Sequence, residues 1–414
     1  MIAFKKHVLP NGLTVLIHQD TKTPNVAFNL LYDVGSKDEH PDKTGFAHLF
    51  EHLMFGGSKN IPSFDTPLQL VGGENNAFTS TDITNYYIQV PKNNLETAFW
   101  LESDRMKELA FSEKSLEVQR KVVIEEFKQR YLNQPYGDLY LLIRPLAYKN
   151  HPYSWATIGK KIEHIEDATM EDVKSFFYKH YCPNRAFLTV AGNVEEDEVM
   201  NLATKWFGDI ERQSDYVRNL TKEPEQNEER IETVYRKVPA NLILKVFKMP
   251  SRFDNNYFAA DLISDLLGRG NSSFLYQKLV KEKAIFNDIN AYITGEVEEG
   301  LMVISAKIKD HIDPESANNI LKESLNEFLE IDNEILEKKL VGVKNKVEST
   351  LVMNDIHILN RAMNLSFFEM LGDANKANEE IDNYLNVDAK GLKELATKIL
   401  SPLNSSTLLY LKEK

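Results

Sequence analysis

The sequence contains a single cysteine and no excess of basic residues, and each shortage excludes a class of protein. Cys182 alone can form neither an internal disulfide nor a cysteine-rich zinc site. The 49 lysines and arginines are outnumbered by 62 aspartates and glutamates, which gives a formal net charge of −13. A protein that binds the phosphate backbone of nucleic acids needs a basic face. We therefore expect no nucleic-acid partner.

Long apolar runs are also missing. Residues 1–7 lack the apolar core of a signal peptide, and no stretch approaches the ~18 apolar residues that span a bilayer. The sequence therefore predicts no membrane partner and a cytoplasmic location, or a periplasmic one if a leader has been removed. Hydrophobic residues make up 42% of the 414 positions, which is enough for sizeable cores in two or three domains.

The order of predicted strands and helices in the first half is typical of an α+β fold. A turn signal at residues 9–12 precedes a β-rich run at 13–17. Further strands are predicted at 26–34, 75–80, 83–90 and 186–191, and helices at 44–55, 95–109, 113–131, 170–178 and 195–207. Strands interspersed with helices in this way favour a mainly antiparallel sheet with helices packed on one face.

A polar, charge-dense stretch divides the chain into two predicted domains. We expect an N-terminal domain at 1–215, a linker at 216–230 and a C-terminal domain at 231–414. After the linker, the pattern of strand, turn and helix restarts. This repetition indicates a weak internal duplication, in which the second copy lacks the closely spaced histidines of the first.

Residues 45–52, Gly-Phe-Ala-His-Leu-Phe-Glu-His, carry the strongest chemical signal. His48 and His52 are four positions apart, so both imidazoles project from one face of a helix. Two such nitrogens can bind one Zn²⁺ at about 2.0–2.1 Å. Glu51 lies on the same side and is placed to deprotonate the attacking water and pass the proton to a leaving amine.

The order His-x-x-Glu-His matches the inverzincin motif. The alternative is that three polar residues line an exposed helix face. Two histidines are also too few for a catalytic zinc site, which usually has three protein ligands. The predicted helix at 113–131 offers Glu125 and Glu126. Adjacent helical residues point about 100° apart, so only one of the two can face the metal, and periodicity does not choose between them.

Several segments together resemble the pitrilysin-type (M16, inverzincin) zinc metallopeptidases. These segments are residues 34–36, 45–52, 72–80, 120–127 and 151–153. The resemblance covers most of the chain. It is closest to the half-length, two-domain branch of the family, which includes the β subunit of the mitochondrial processing peptidase and bacterial relatives. It implies a hydrolase that uses one zinc ion per chain.

The resemblance also implies a third zinc ligand. The family's ligand in its second conserved helix falls on Glu126, with Glu125 as the fallback. The family often has a glutamate seven residues before this ligand, which supports the site from outside the ligand shell. Here that position is Gln119, which can still form a hydrogen bond to a histidine but brings no charge.

Residues 75–80 resemble the family's edge strand beside the zinc. An exposed edge pairs with an extended peptide through main-chain hydrogen bonds, which explains a loose sequence preference. The resemblance therefore implies that Asn76, Ala77 and Phe78 bind substrate. For Asn76 the alternative is a turn-stabilising asparagine.

The second half lacks a substrate-binding pair that the family usually has there, an arginine and a tyrosine seven residues apart. The matching positions carry Val280 and Asn287. Some members of the family are heterodimers in which one chain holds the zinc and the other supplies this pair. We therefore expect a related partner subunit in a heterodimer, or a homodimer. If the chain acts alone, Lys281 or Arg269 is the candidate replacement.

The sequence thus predicts a zinc-dependent endopeptidase subunit that acts on short or unfolded peptides. One alternative is a non-catalytic assembly subunit that has kept the fold. The intact His-x-x-Glu-His argues against it, because loss of function would be expected to erode the motif. A metallohydrolase of non-peptide bonds is the second alternative, and the peptide-pairing strand argues against that.

Overall fold

The computed structural model describes residues 1–413, which contain two sheets covered by helices. The strands are β1 (Lys5–Val8), β2 (Thr14–Gln19), β3 (Asn25–Tyr32), β4 (Glu74–Thr79), β5 (Thr84–Pro91), β6 (Ala186–Gly192), β7 (Arg230–Arg236), β8 (Leu242–Lys248), β9 (Phe286–Ile293), β10 (Leu301–Ile308) and β11 (Ser405–Lys412). The α-helices are α1 (Phe46–Leu53), α2 (Asp65–Leu70), α3 (Leu95–Lys107), α4 (Glu113–Phe127), α5 (Leu139–Ala147), α6 (Glu163–Glu166), α7 (Met170–His180), α8 (Glu196–Phe207), α9 (Tyr257–Gly268), α10 (Pro314–Leu329), α11 (Asn333–Asn354), α12 (Ile358–Met370), α13 (Lys376–Leu385) and α14 (Ala389–Ile399).

The first sheet has the strand order β1-β2-β6-β3-β5-β4. Only β2 and β6 pair in parallel, and β4 lies at one edge, where it pairs with β5 alone. Successive side chains of a strand point to opposite faces of the sheet. Nearly all side chains of the central strand β3 are buried, so both faces of the sheet are covered there. On one side Phe28 meets Phe99 of α3 edge to face, with ring centroids 4.9 Å apart.

The other face of this sheet is covered by α12. Ala27, Ala191 and Ala362 form a buried cluster there, and their small side chains let the helix approach the strands closely. Beside them Asn29 donates a hydrogen bond to Ser366 at 3.0 Å. Helix α12 comes after four strands of the second sheet in sequence, yet it packs on the first sheet.

The second sheet has the order β7-β11-β8-β10-β9. Its pairing repeats that of the first sheet strand for strand, since β7, β11, β8, β10 and β9 correspond to β2, β6, β3, β5 and β4. Alternation along β8 again buries both faces: Leu244 packs with Ile143 of α5, and Ile243 with Ala260 of α9. The first sheet has one further strand, β1, at its outer edge.

The predicted α+β class with two similar sheets is confirmed, and the structure adds one helix on the opposite face of each sheet. By contacts between residues, the chain forms two compact units that are not contiguous in sequence. The first contains residues 1–128, 155–220 and 352–379, and the second contains 129–154, 221–351 and 380–414. Division into domains at 1–215 and 231–414 stays a prediction. Among the described residues, no helix is both long and apolar enough to cross a bilayer.

Candidate metal centre

Helix α1 presents His48, Glu51 and His52 on one side because its apolar residues occupy the other. Phe46, Leu49 and Phe50 are buried, whereas His48, Glu51 and His52 keep partial access to solvent. The helix begins after Gly45, whose φ of +90° favours glycine. A side chain there would also collide with the carbonyl of Ile158 at 2.7 Å.

Helix α4 carries the two candidate carboxylates and packs against α1. Its first turn is capped by Ser112, whose side chain accepts a hydrogen bond from the backbone N–H of Ser115. Val123 and Phe127 are buried on its inner side. Glu126 lies at the margin of this buried stripe, so its side chain reaches the neighbouring helix.

The structure brings His48, His52 and Glu126 together. One carboxylate oxygen of Glu126 lies 3.2 Å from Nε2 of His48 and 3.4 Å from Nε2 of His52. Tetrahedral ligands at about 2.0–2.1 Å from a zinc ion are about 3.3 Å from one another. The three donors, two imidazole nitrogens and a carboxylate oxygen, therefore fit a zinc ion in both chemistry and spacing. They form the only such cluster of three residues found in the described part of the chain.

Glu125 is placed differently. It is 58% exposed, against 18% for Glu126, and pairs with Lys128 at 2.8 Å. Gln119 lies two turns before Glu126 on the same helix and is half-buried. Within residues 1–413 it makes no side-chain hydrogen bond, so its supporting role stays a prediction.

The pKa values of the cluster are set by burial and by the carboxylates. Burial lowers the pKa of His48, but the hydrogen bond with Glu126 and the nearby carboxylate of Glu51 outweigh burial and raise that pKa to about 9. Burial and the neighbouring His48 lower the pKa of His52. Burial raises the pKa of Glu51, but interactions with His48 and Thr79 outweigh it and hold that pKa below its usual value. Glu51 is therefore ionised at neutral pH and able to accept a proton.

Glu51 contacts the imidazole of His48 on the ring nitrogen that faces away from Glu126. Its Oε2 lies 3.7 Å from Nδ1 of His48. The carboxylate thus stands beside the cluster without joining its three converging donor atoms.

The predicted substrate strand is β4, the edge of the first sheet, and it packs against α1. Phe78 is 40% exposed on this edge. Asn76 is also exposed, and its side-chain oxygen accepts a hydrogen bond from the N–H of Ala77 at 2.8 Å. Asn76 lies within the strand, where it pairs with Tyr87, and not in a turn.

In the second unit, the two positions that match the family's arginine and tyrosine differ in how far their side chains are buried. Val280 packs beside the core, and Asn287 is exposed on the edge strand β9. Arg269 is engaged by Asp265, with Nε and Oδ1 2.7 Å apart. Lys281 is exposed beside the ring of Tyr276, at 5.6 Å from its centroid. Of the two suggested replacements, only Lys281 lacks an ion pair among the described residues.

Glu39 escaped the sequence analysis. Its buried carboxylate accepts hydrogen bonds from the backbone N–H groups of Gly45 and Ala47 at the start of α1. The available signal was the lack of a Ser, Thr, Asp or Asn at the N-cap of α1, which implies a cap from elsewhere in the chain.

Two family profiles match the chain. "Insulinase (Peptidase family M16)" matches residues 14–157, which include His48, His52 and Glu126. "Peptidase M16 inactive domain" matches residues 167–347. The name of the second profile agrees with the lack of a His-x-x-Glu-His in that part of the chain.

Known proteins of similar sequence include the "Zinc protease PqqE" of Helicobacter pylori, which is 35% identical over 283 residues, or 67% of this chain and 64% of that protein. The mitochondrial-processing peptidase subunit beta of Saccharomyces cerevisiae is 28% identical over 205 residues, or 49% of this chain and 44% of that protein. Each match thus spans less than two thirds of the relative. A crystal structure of a protease from Helicobacter pylori superposes with a TM-score of 0.93 at 28% identity, covering 99% of this chain and all of that one.

Proposed function

Because the chain belongs to the M16 family of peptidases, which confirms the predicted resemblance, we propose that it is a zinc-dependent endopeptidase subunit acting on short or unfolded peptides. The observation that carries the proposal is the convergence of His48, His52 and Glu126 at separations of 3.2 and 3.4 Å. An ion pair needs only one histidine and one carboxylate. Here a second histidine converges on the same carboxylate oxygen, which a metal centre requires and an ion pair does not.

The three ligand residues would hold Zn²⁺, and a bound Zn²⁺ supplies Lewis-acid chemistry that polarises a peptide carbonyl and makes water more acidic. Glu51 then acts as the general base. Its carboxylate is partly buried next to His48 and ionised at neutral pH, so it takes a proton from the attacking water and returns it to the leaving amine.

The peptide substrate is held by main-chain pairing along β4. This strand has one free edge, so an extended peptide adds to the first sheet as a further strand beside α1. Exposed Phe78 offers an apolar contact for one substrate side chain. Because a folded protein cannot present an extended segment of this kind, the arrangement favours short or unfolded chains.

A partner subunit completes the substrate-binding groups. The chain has Val280 and Asn287 where the family has its arginine and tyrosine, and Arg269 is engaged by Asp265. We expect a related chain in a heterodimer to supply the missing pair. A homodimer could supply it only through other residues, of which Lys281 is the candidate.

The alternative function is a non-catalytic assembly subunit that retains the peptidase fold. It is favoured by the missing arginine and tyrosine and by the match of residues 167–347 to an inactive domain. The two functions differ in whether zinc binding is accompanied by hydrolysis.

The test is to purify the chain, measure zinc by mass spectrometry and assay a fluorogenic library of unstructured peptides, with the chain alone and with the related subunit of its own organism. We expect near-stoichiometric zinc in the wild type, loss of zinc in His48→Ala, and hydrolysis with the partner present. Hydrolysis by the chain alone would overturn the need for a partner. Zinc binding without hydrolysis in either setting would favour the non-catalytic subunit, and no zinc at all would refute the metal centre.

A further inference from the structure

We propose that Glu39 is a positioning residue. It caps the N-terminus of α1 from the preceding loop and thereby holds His48 close to Glu126. This inference rests on the proposed function, because it assigns a role in forming the zinc site. Glu39 lies nine positions before His48, in the loop between β3 and α1, and is only 6% exposed.

The carboxyl group of Glu39 is surrounded by N–H donors. One oxygen accepts hydrogen bonds from the backbone N–H of Gly45 at 2.9 Å and from the indole N–H of Trp155 at 3.0 Å. The other accepts from the backbone N–H of Ala47 at 2.8 Å. Both oxygens are therefore used, and both backbone donors belong to the N-terminus of the helix that carries the histidines.

Helix α1 has no cap of its own. Gly45 stands at its N-cap position without a side chain, and the first turn contains no acidic residue. The first N–H groups of a helix have no partner within the helix, and they need one when they are buried. In this chain Glu39 satisfies two of them.

The location of these bonds makes the cap relevant to the metal. Ala47 immediately precedes His48, so the bond at 2.8 Å fixes the backbone at the first histidine. Helix α1 spans only eight residues, which leaves few other bonds to hold its first turn in place. A shift of the turn would carry Nε2 of His48 away from Glu126, while His52, one turn later, would move less.

Trp155 anchors Glu39 in turn. Its indole N–H also donates to the backbone carbonyl of Ser36 at 3.0 Å, in the same loop as Glu39. Burial raises the pKa of Glu39 to about 8, whereas the hydrogen bonds from Ala47, Gly45 and Trp155 favour its charged form. In that form both oxygens act only as acceptors, which suits the three N–H donors that converge on them.

The decisive variant is Glu39→Gln. It keeps the size of the side chain, but its amide nitrogen cannot accept a hydrogen bond, so at least one of the three bonds is lost. Loss of a partner that orients a ligand typically weakens metal binding about 10–100-fold. We expect a fall of that size in the zinc affinity, measured by competition with a chromogenic chelator, and a changed absorption spectrum of the Co²⁺-loaded protein.

The matched control is Thr169→Ala, which removes the cap of another helix in the same unit. Thr169 accepts a hydrogen bond from the N–H of Asp172 at the start of α7. This variant should melt at a lower temperature than the wild type and keep its zinc affinity and Co²⁺ spectrum. Trp155→Phe is the milder variant, to be used also if Glu39→Gln does not fold. It removes one donor from Glu39 and should weaken zinc binding by a smaller factor.

The inference is wrong if Glu39→Gln, or Trp155→Phe when the former does not fold, binds zinc as tightly as the wild type with the same Co²⁺ spectrum. It is also wrong if Thr169→Ala weakens zinc binding equally, because the effect would then be one of general stability. A wild-type chain that binds neither Zn²⁺ nor Co²⁺ would instead refute the proposed function, and the role of Glu39 with it.

Discussion

Nε2 of His48 lies 3.2 Å from Oε2 of Glu126, although 78 positions separate the two residues in the chain. The first belongs to α1 and the second to α4, so the donor cluster exists only when these two helices pack together. Binding of the proposed zinc ion would therefore be coupled to the folding of the first unit, because a site that is absent from the unfolded chain adds its binding free energy to stability.

The two adjacent glutamates of α4 provide a sharp test of the ligand set. Glu126→Gln should reduce zinc affinity by at least about 100-fold, since even partners outside the ligand shell contribute 10–100-fold. Glu125→Gln should leave it unchanged, because Glu125 is exposed and pairs with Lys128. Zinc content after dialysis and a chelator competition measure both variants. Equal zinc loss in the two variants would refute the assignment of Glu126.

Removal of the proposed base should separate metal binding from chemistry. Glu51→Gln keeps the shape of the side chain but cannot accept the proton of the attacking water. We expect normal zinc content and hydrolysis slower by about 10²–10⁴-fold, the usual contribution of a general base. The measurement compares the rate of peptide hydrolysis by the wild type and by the variant, each with the partner subunit present and at saturating peptide concentration. Wild-type turnover in Glu51→Gln would exclude Glu51 as the base.

How much of this site the sequence could reveal depends on the distance between residues along the chain. The spacing of His48 and His52 within one helix is a local property, so periodicity alone placed both on one face. Periodicity could not choose between Glu125 and Glu126, and only the family resemblance favoured Glu126. The choice depends on the rotation of α4 about its axis, which is fixed by buried residues such as Val123.

The missing N-cap side chain of α1 indicated that a cap was needed, but not which residue supplies it. Glu39 was missed because the fold alone brings it to its donors on Gly45, Ala47 and Trp155.

The fold shows the same division between local and distant information. The strand-like runs at 26–34 and 83–90 indicated strands, and the structure has them at Asn25–Tyr32 and Thr84–Pro91. The position of α12 on the first sheet could not be predicted, because the amphipathic pattern of a helix does not say which sheet it covers. The small residues around Ala362 and the polar contact of Ser366 are among the contacts that fix this placement in the structure.

The packing of α12 on the first sheet can be tested at Ser366. Its hydroxyl lies 3.0 Å from Nδ2 of Asn29 and 2.7 Å from Oγ1 of Thr189, all three being buried. Ser366→Ala leaves these groups without a partner, which should lower the free energy of unfolding by about 1–3 kcal/mol. Thermal and urea unfolding measure the loss.

The control for this change is Ser324→Ala in α10. Ser324 is equally buried, but its hydroxyl donates only to the carbonyl of Ile320 within its own helix. Because that carbonyl sits within a helix, this variant should lose well under 1 kcal/mol, below the ~1 kcal/mol typical of a hydrogen bond. Equal losses at both serines would contradict the inferred docking of α12.

Phe78 should contribute to peptide binding without affecting the metal. Phe78→Ala removes an exposed apolar surface from the edge strand, and partial burial of such a ring by substrate contributes about 1 kcal/mol. We expect the KM for unstructured peptides to rise about fivefold, with unchanged zinc content. Val217, which is exposed in the segment after α8, provides the control Val217→Ala. An unchanged KM in Phe78→Ala would argue against binding of substrate along this part of β4.

Lys245 should make stability depend on pH above neutrality. It is 1% exposed in the second sheet, and burial lowers its pKa to about 8, despite Glu229 at 3.3 Å. In the unfolded chain this lysine has an ordinary pKa near 10.5, so it binds more protons than in the folded state between pH 8 and 10.5. This group therefore makes the folded state more stable as pH rises through that window.

Lys245→Met removes the effect, and Glu229 keeps Lys322 as a partner at 2.8 Å. The difference in unfolding free energy between wild type and variant should therefore change by about 3 kcal/mol across the window, in favour of the wild type at high pH. The exposed Lys338→Met is the control, and a difference that stays constant from pH 8 to 10.5 would show that Lys245 does not titrate there.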